Sequence, residues 1–158
     1  MRRVVVPLVM AVAMAACSSV GAQRSLRLQD VPAGVSFQRV HGRSIIFVRA
    51  DADALTAFVP DARHMPGEST LWWCPPEQVF ASPTHGEIFD MEGRHLDGPA
   101  TGDLNRVPVT IEGDRVTVGT TVTVGATRGG SRTFPMAVRG GWNKGKDSFC
   151  KGAIKPSH

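Results

Sequence analysis

"FASPTHGEIFD", residues 80–90, decides how this chain is read. Two short apolar runs, "QVFASP" and "EIFDM", stand on either side of a Pro-Thr-His-Gly centre. Pro83 and Gly86 suit a tight turn, because proline presets φ and glycine tolerates backbone angles that other residues resist. Phe89 is the natural core residue of the returning run. The stretch therefore reads as strand, turn, strand, with His85 in the turn.

Working outward, the same strand rhythm continues. "VSFQRVHG" alternates apolar and polar residues and runs into a turn at Gly42, and "SIIFVRA" comes next, β-branched and aromatic. "ALTAFVP" is a third strand, ended by Pro60. "EGRHL" turns at its glycine. "NRVPVTIEGDRVTV" reads as two alternating strands across a Glu-Gly-Asp turn. "TTVTVGA" either extends that hairpin or begins another strand. No window of eleven residues beyond the leader carries a helical stripe. The expected class is all-β, built from several small antiparallel sheets. "DARHMPGESTLWWCPPE", residues 61–77, interrupts the rhythm as a Pro- and Gly-rich loop. Of its adjacent tryptophans, Trp72 and Trp73, one is expected to plug a small core and the other to cover a surface. In the tail, Phe134, Met136, Val138 and Trp142 suit one edge strand.

The 158 residues suffice for one domain. The opening "MRRVVVPLVMAVAMAAC" has two arginines, an uncharged apolar run and small residues before Cys17. That is the pattern of a secretory signal, too short for a comfortable membrane span. "MAAC" resembles a bacterial lipobox, which implies cleavage before Cys17 and acylation of its sulfur. An ordinary secreted protein cut nearby, for example after Ala22, is the alternative. The lipoprotein reading makes residues 1–16 the signal and 17–24 a lipidated tether. Loss of the leader removes two arginines and lowers the formal charge from +4 to about +2. No basic stripe with interleaved aromatics is present, so nucleic acid is not an expected partner. Of three cysteines, Cys74 and Cys150 remain as a pair in an oxidising compartment. A disulfide is the economical reading and two separate buried thiols the alternative.

A wider spacing links two of these segments. "A62-R-H64" is separated by residues 65–81 from "S82-P-T-H85-G". With Cys at 62 and 82 this would be C-x-H-x17-C-x-x-H. The pattern resembles the ligand set of the Rieske iron–sulfur domain. "DVPAGVSFQRVHGRSIIFVRADADALTAFVPDARH" resembles the strands before the first ligand loop. "FASPTHGEIFDMEGRHLDGPATGDLNRVPVTIEGDRVTV", with its Gly-Pro-Ala and closing hairpin, resembles the second ligand loop and the strands after it. The likeness spans roughly residues 25–124. It implies a base of two antiparallel sheets in a sandwich or barrel. It also implies a small, loop-rich former cluster-binding subdomain at about 60–92. Residues 125–158 then form a C-terminal extension docked by Cys74–Cys150.

The same resemblance implies a [2Fe–2S] cluster held by two Cys on one iron and two His on the other. His64 and His85 occupy the His positions, whereas Ala62 and Ser82 occupy the Cys positions. Alanine cannot ligate, and a serine hydroxyl must shed a proton of very high pKa. A second disulfide found in some members would fall on Glu68, or on Gly67 after a one-residue slip, and on Thr84. It is missing too. The expectation is a degenerate, cluster-free domain with no catalytic residues, in a lipoprotein of the bacterial cell envelope. In a diderm host it would face the periplasm from the outer membrane. The membrane, through Cys17, and an unidentified envelope protein are its expected partners. The loops around His64, Trp72, Trp73 and His85 are the expected contact patch, and the two histidines then act structurally. Two alternatives stand beside this. One is [2Fe–2S] electron transfer with ligands rebuilt from Cys74 and Cys150. The other is a single transition metal on His64 and His85, with Cys74, Glu68 or Glu87 as third ligand.

Overall fold

In the computed structural model the chain is described over residues 25–52, 54–61, 70–126, 150 and 152–156. Within these residues the chain forms β1 (Ser25–Arg27), β2 (Gly34–Val40), β3 (Arg43–Arg49), β4 (Leu55–Phe58), β5 (Trp72–Cys74), β6 (Val79–Ala81), β7 (Ile88–Asp90), β8 (His95–Asp97), β9 (Arg106–Val107), β10 (Val109–Glu112) and β11 (Arg115–Val118). No α-helix occurs among them; a single 3-10 turn, Leu28–Asp30, links β1 to β2. The Arg49 guanidinium closes that turn by donating to the Leu28 and Val31 carbonyls, at 2.9 and 2.8 Å.

β3 explains the layering. Ile45, Ile46, Phe47 and Val48 are all buried in succession, so neither face of the strand can meet water. Ile45 and Phe47 join Ala57, Val107, Val116 and Val118 in one core. Ile46 and Val48 join Phe58, Trp73, Phe80 and Phe89 in another. The middle sheet, in the order β2-β3-β4-β9, thus lies between two others. On one side is the sheet β1-β11-β10, and on the other is β5-β6-β7-β8. All pairings are antiparallel. The β2–β3 turn is the two residues His41 and Gly42, with φ of 53° and 75°. Two positive φ values give the turn whose twist matches a hairpin.

The structure corrects three expectations. "WWC" is not loop: it is β5, paired with β6 from Trp72↔Ala81 to Cys74↔Val79. "NRVPVTIE" is not one strand: Pro108 divides it, sending β9 to β4 in the middle sheet and β10 to β11 in the outer one. Proline has no N–H to give the ladder, so the chain changes sheets there. "TTVTVGA" forms no strand among the described residues; it makes the bridge Arg106↔Thr123, and its Ala126 carbonyl accepts the Asp103 N–H at 2.9 Å. The suggested edge strand through Phe134, Met136, Val138 and Trp142 lies outside them.

Candidate functional site

The turn between β6 and β7 is closed by its own first residue. The Ser82 N–H donates to the Glu87 carbonyl at 2.9 Å, and the Gly86 N–H donates to the Ser82 carbonyl at 3.2 Å. The Ser82 hydroxyl oxygen accepts the His85 N–H at 3.2 Å. A serine side chain that bonds the backbone three residues on is a local turn former. Ser82 and Glu87 are both fully buried, whereas His85 is half-buried and Thr84 is exposed. Gly86 has φ 89°, which a side chain would strain.

The loop after β8 supports this turn from behind. Gly98, at φ 93°, packs so closely that a Cβ there would stand 2.7 Å from the Glu87 Cα. Its N–H donates to Asp97 Oδ1 at 2.8 Å. The ring of His95 lies against Phe89, with its Nε2 donating to the Asp97 carbonyl at 2.8 Å. The His95 N–H donates to Asp103 Oδ1 at 2.9 Å, and the Leu104 N–H to the Gly93 carbonyl at 2.7 Å. At the rim, Arg94 donates through its N–H and its Nε to Asp90, at 2.7 and 2.6 Å. The hydrogen bond and charge of Asp90 raise the Arg94 pKa further above its already high value. His95, Asp97 and Asp103 do not stand out in the sequence. Their signal is weak, because polar residues of a short strand look like surface until the partners are known.

The structure brings Ser82, His85 and Glu87 together. Ala62, His64, Gly67 and Glu68 lie outside the described residues, as does Cys17. Cys74 is elsewhere: it sits at the far end of the β5–β6 hairpin, opposite Val79, and so roughly 10 Å along the strand from Ser82. It forms a disulfide with Cys150, with the Cα atoms 5.5 Å apart. Trp73 is only 6% exposed and packs on Phe80, with ring centroids 4.9 Å apart. That removes it from the expected contact patch and makes it the plug of the second core. Trp72 is the half-buried cover, with Lys155 Nζ 4.2 Å from its ring centroid.

No family model matches the chain, and no curated protein does. Solved structures do. The ferredoxin of carbazole 1,9a-dioxygenase from Nocardioides aromaticivorans is 19% identical, with 62% of this chain and 96% of that one covered and a TM-score of 0.45. The plasma-membrane Rieske protein of the cyanobacterium Synechocystis is 23% identical over 55% and 87%, also with a TM-score of 0.45. A hyperthermophilic respiratory Complex III structure is 21% identical over 65% and 79%, with a TM-score of 0.48.

A Rieske cluster needs two thiolates on one iron. Position 62 carries a methyl group. Position 82 carries a buried hydroxyl already engaged by the His85 amide. The sulfurs of Cys74 and Cys150 are bonded to each other at the other end of the hairpin. These residues do not fit the cluster that the resemblance in sequence implies. The described residues form three antiparallel sheets, and the four-stranded sheet β5-β6-β7-β8 carries the turn that holds Ser82 and His85.

Proposed function

We propose that this chain is an exported lipoprotein of a bacterial envelope whose Rieske-like domain serves as a binding or accessory subunit. One observation carries the reading: the Ser82 hydroxyl, at a position where the family has a cysteine ligand, is buried and caps the turn through the His85 amide. The substitution has converted a ligand into a turn former. In this reading position 82 carries a turn-closing hydroxyl in place of a thiolate. Its outer side offers Thr84 and half of His85, a polar rim for protein contact. Among the described residues no helix is long and apolar enough to cross a membrane. The attachment proposed here runs through acyl chains on Cys17, since two or more chains hold a protein stably where one does not.

The test is metal and sulfide analysis, with low-temperature EPR, on the chain expressed in iron-replete cells. The reading expects neither stoichiometric iron nor acid-labile sulfide in the folded protein. Two irons with a Rieske-type spectrum would replace it by electron transfer. One metal ion lost on His85→Ala would replace it by a mononuclear site. Membrane fractionation of Cys17→Ser tests the anchor separately, with release into the soluble envelope fraction expected.

A further inference from the structure

The geometry points to a second site, unconnected with the His85 turn: in the dithiol state, Cys74, Glu77 and Cys150 bind one zinc-class cation. The sulfurs and a Glu77 carboxylate oxygen all lie within 4.8 Å of one another. Two backbone turns set this up. Cys74 ends β5, and the chain folds back through Pro75–Gln78, with the Gln78 N–H donating to the Pro75 carbonyl at 3.3 Å and Gln78 at φ 52°. Cys-x-x-Glu across such a turn has the spacing at which Cys-x-x-Cys turns present zinc ligands. Cys150 opens the other turn, where the Ala153 N–H donates to the Cys150 carbonyl at 3.3 Å and Gly152 has φ 71°.

The second turn is held by more than the disulfide. Trp73 and Ile154 exchange two backbone hydrogen bonds, each 3.0 Å, which lay the tail along the outer edge of β5. The two sulfurs therefore stay neighbours when the bond between them is cut. Both cysteines are buried, while Glu77 is exposed, so the carboxylate marks the side from which an ion enters. Two thiolates and one carboxylate leave a fourth tetrahedral position for water. The chemistry balances with a dithiol donor. The disulfide takes two electrons and two protons from it, the donor leaves as a disulfide, and the cation then displaces both thiol protons. Oxidation reverses this and expels the ion, so the site is gated by the redox state of its own ligands.

The experiment uses the full-length chain, oxidised or reduced with a phosphine under anaerobic conditions, titrated with Zn²⁺ against a chromophoric chelator. Co²⁺ then serves as the spectroscopic probe. About one zinc per reduced chain, none per oxidised chain and a thiolate-to-cobalt charge-transfer band are expected. Glu77→Ala lies in an exposed turn and keeps the fold, checked by circular dichroism. It should weaken zinc on the order of tenfold or more and alter the cobalt spectrum. Absence of zinc binding by the reduced chain overturns the proposal. So does a Glu77→Ala chain with unchanged affinity and spectrum. Neither result bears on iron at the His85 turn.

Discussion

Gly98 and Glu87 approach so closely that no methyl group fits between them: a Cβ on Gly98 would lie 2.7 Å from the Glu87 Cα. The contact presses the Gly-Pro-Ala loop onto the turn that carries His85. Gly98 also has φ 93°, where any side chain is strained. Gly98→Ala meets both penalties, about 2–4 kcal/mol together. Thermal unfolding should show a midpoint lower by roughly 5–10 °C. An unchanged midpoint would mean that the loop relaxes away and does not define the turn.

The Ser82 hydroxyl makes a narrower prediction. Ser82→Ala removes the acceptor of the His85 N–H while leaving the two backbone bonds of the turn in place. A lost acceptor at a buried position costs about 1–2 kcal/mol. Urea unfolding should register that loss with an unchanged m-value, and amide exchange at His85 should quicken more than at Phe80. Equal exchange at both would show that the hydroxyl does not hold the turn.

The Cys74–Cys150 bond spans a sequence separation of 76 residues. Closing so long a loop removes unfolded-state freedom worth about 4 kcal/mol in the chain-entropy model. A phosphine reductant should lower the unfolding free energy by up to that amount. Because Trp73 and Ile154 remain hydrogen-bonded, the reduced protein should still fold. In a Trp72→Phe, Trp142→Phe chain, where Trp73 alone reports, the fluorescence should stay that of a buried indole. A red-shifted spectrum on reduction would show that the tail needs its disulfide to stay docked.

How much of this is legible in sequence depends on strand length. β3 and the β2–β3 turn can be read, because "SIIFVRA" is a long β-branched run and His41-Gly42 sets it off sharply from β2. The Glu-Gly-Asp turn between β10 and β11 is readable for the same reason. β5 is not: three residues, Trp72–Cys74, set between a Pro- and Gly-rich stretch and two prolines, give no period to detect. The sheet change at Pro108 is hidden because alternation continues through it. At the site, spacing finds Ser82 and His85, and Glu87 enters only as a third metal ligand. Gly98 and the His95–Asp97–Asp103 bonds escape, since only the folded chain brings residues 95–103 behind residue 87. Glu77 escapes because Cys-x-x-Glu gains meaning only when Cys150 arrives from the tail.

Two substitutions test whether the resemblance in sequence reaches as far as a cluster site. If the turn from Ser82 to Glu87 suits a cluster, Ser82→Cys places a sulfur beside the His85 amide, which now donates to the hydroxyl. Serine to cysteine changes volume little, so the buried site should tolerate it. Ala62→Cys supplies the second thiolate in the sequence pattern beside His64. The double variant, reconstituted anaerobically with iron and sulfide, should take up about two irons per chain and gain Rieske-type absorption and EPR. Each single variant should not, because one iron would still lack a thiolate. Failure of the folded double variant to bind iron would show that the change went beyond the ligands. The turn from Ser82 to Glu87 would then hold a shape that does not suit a cluster.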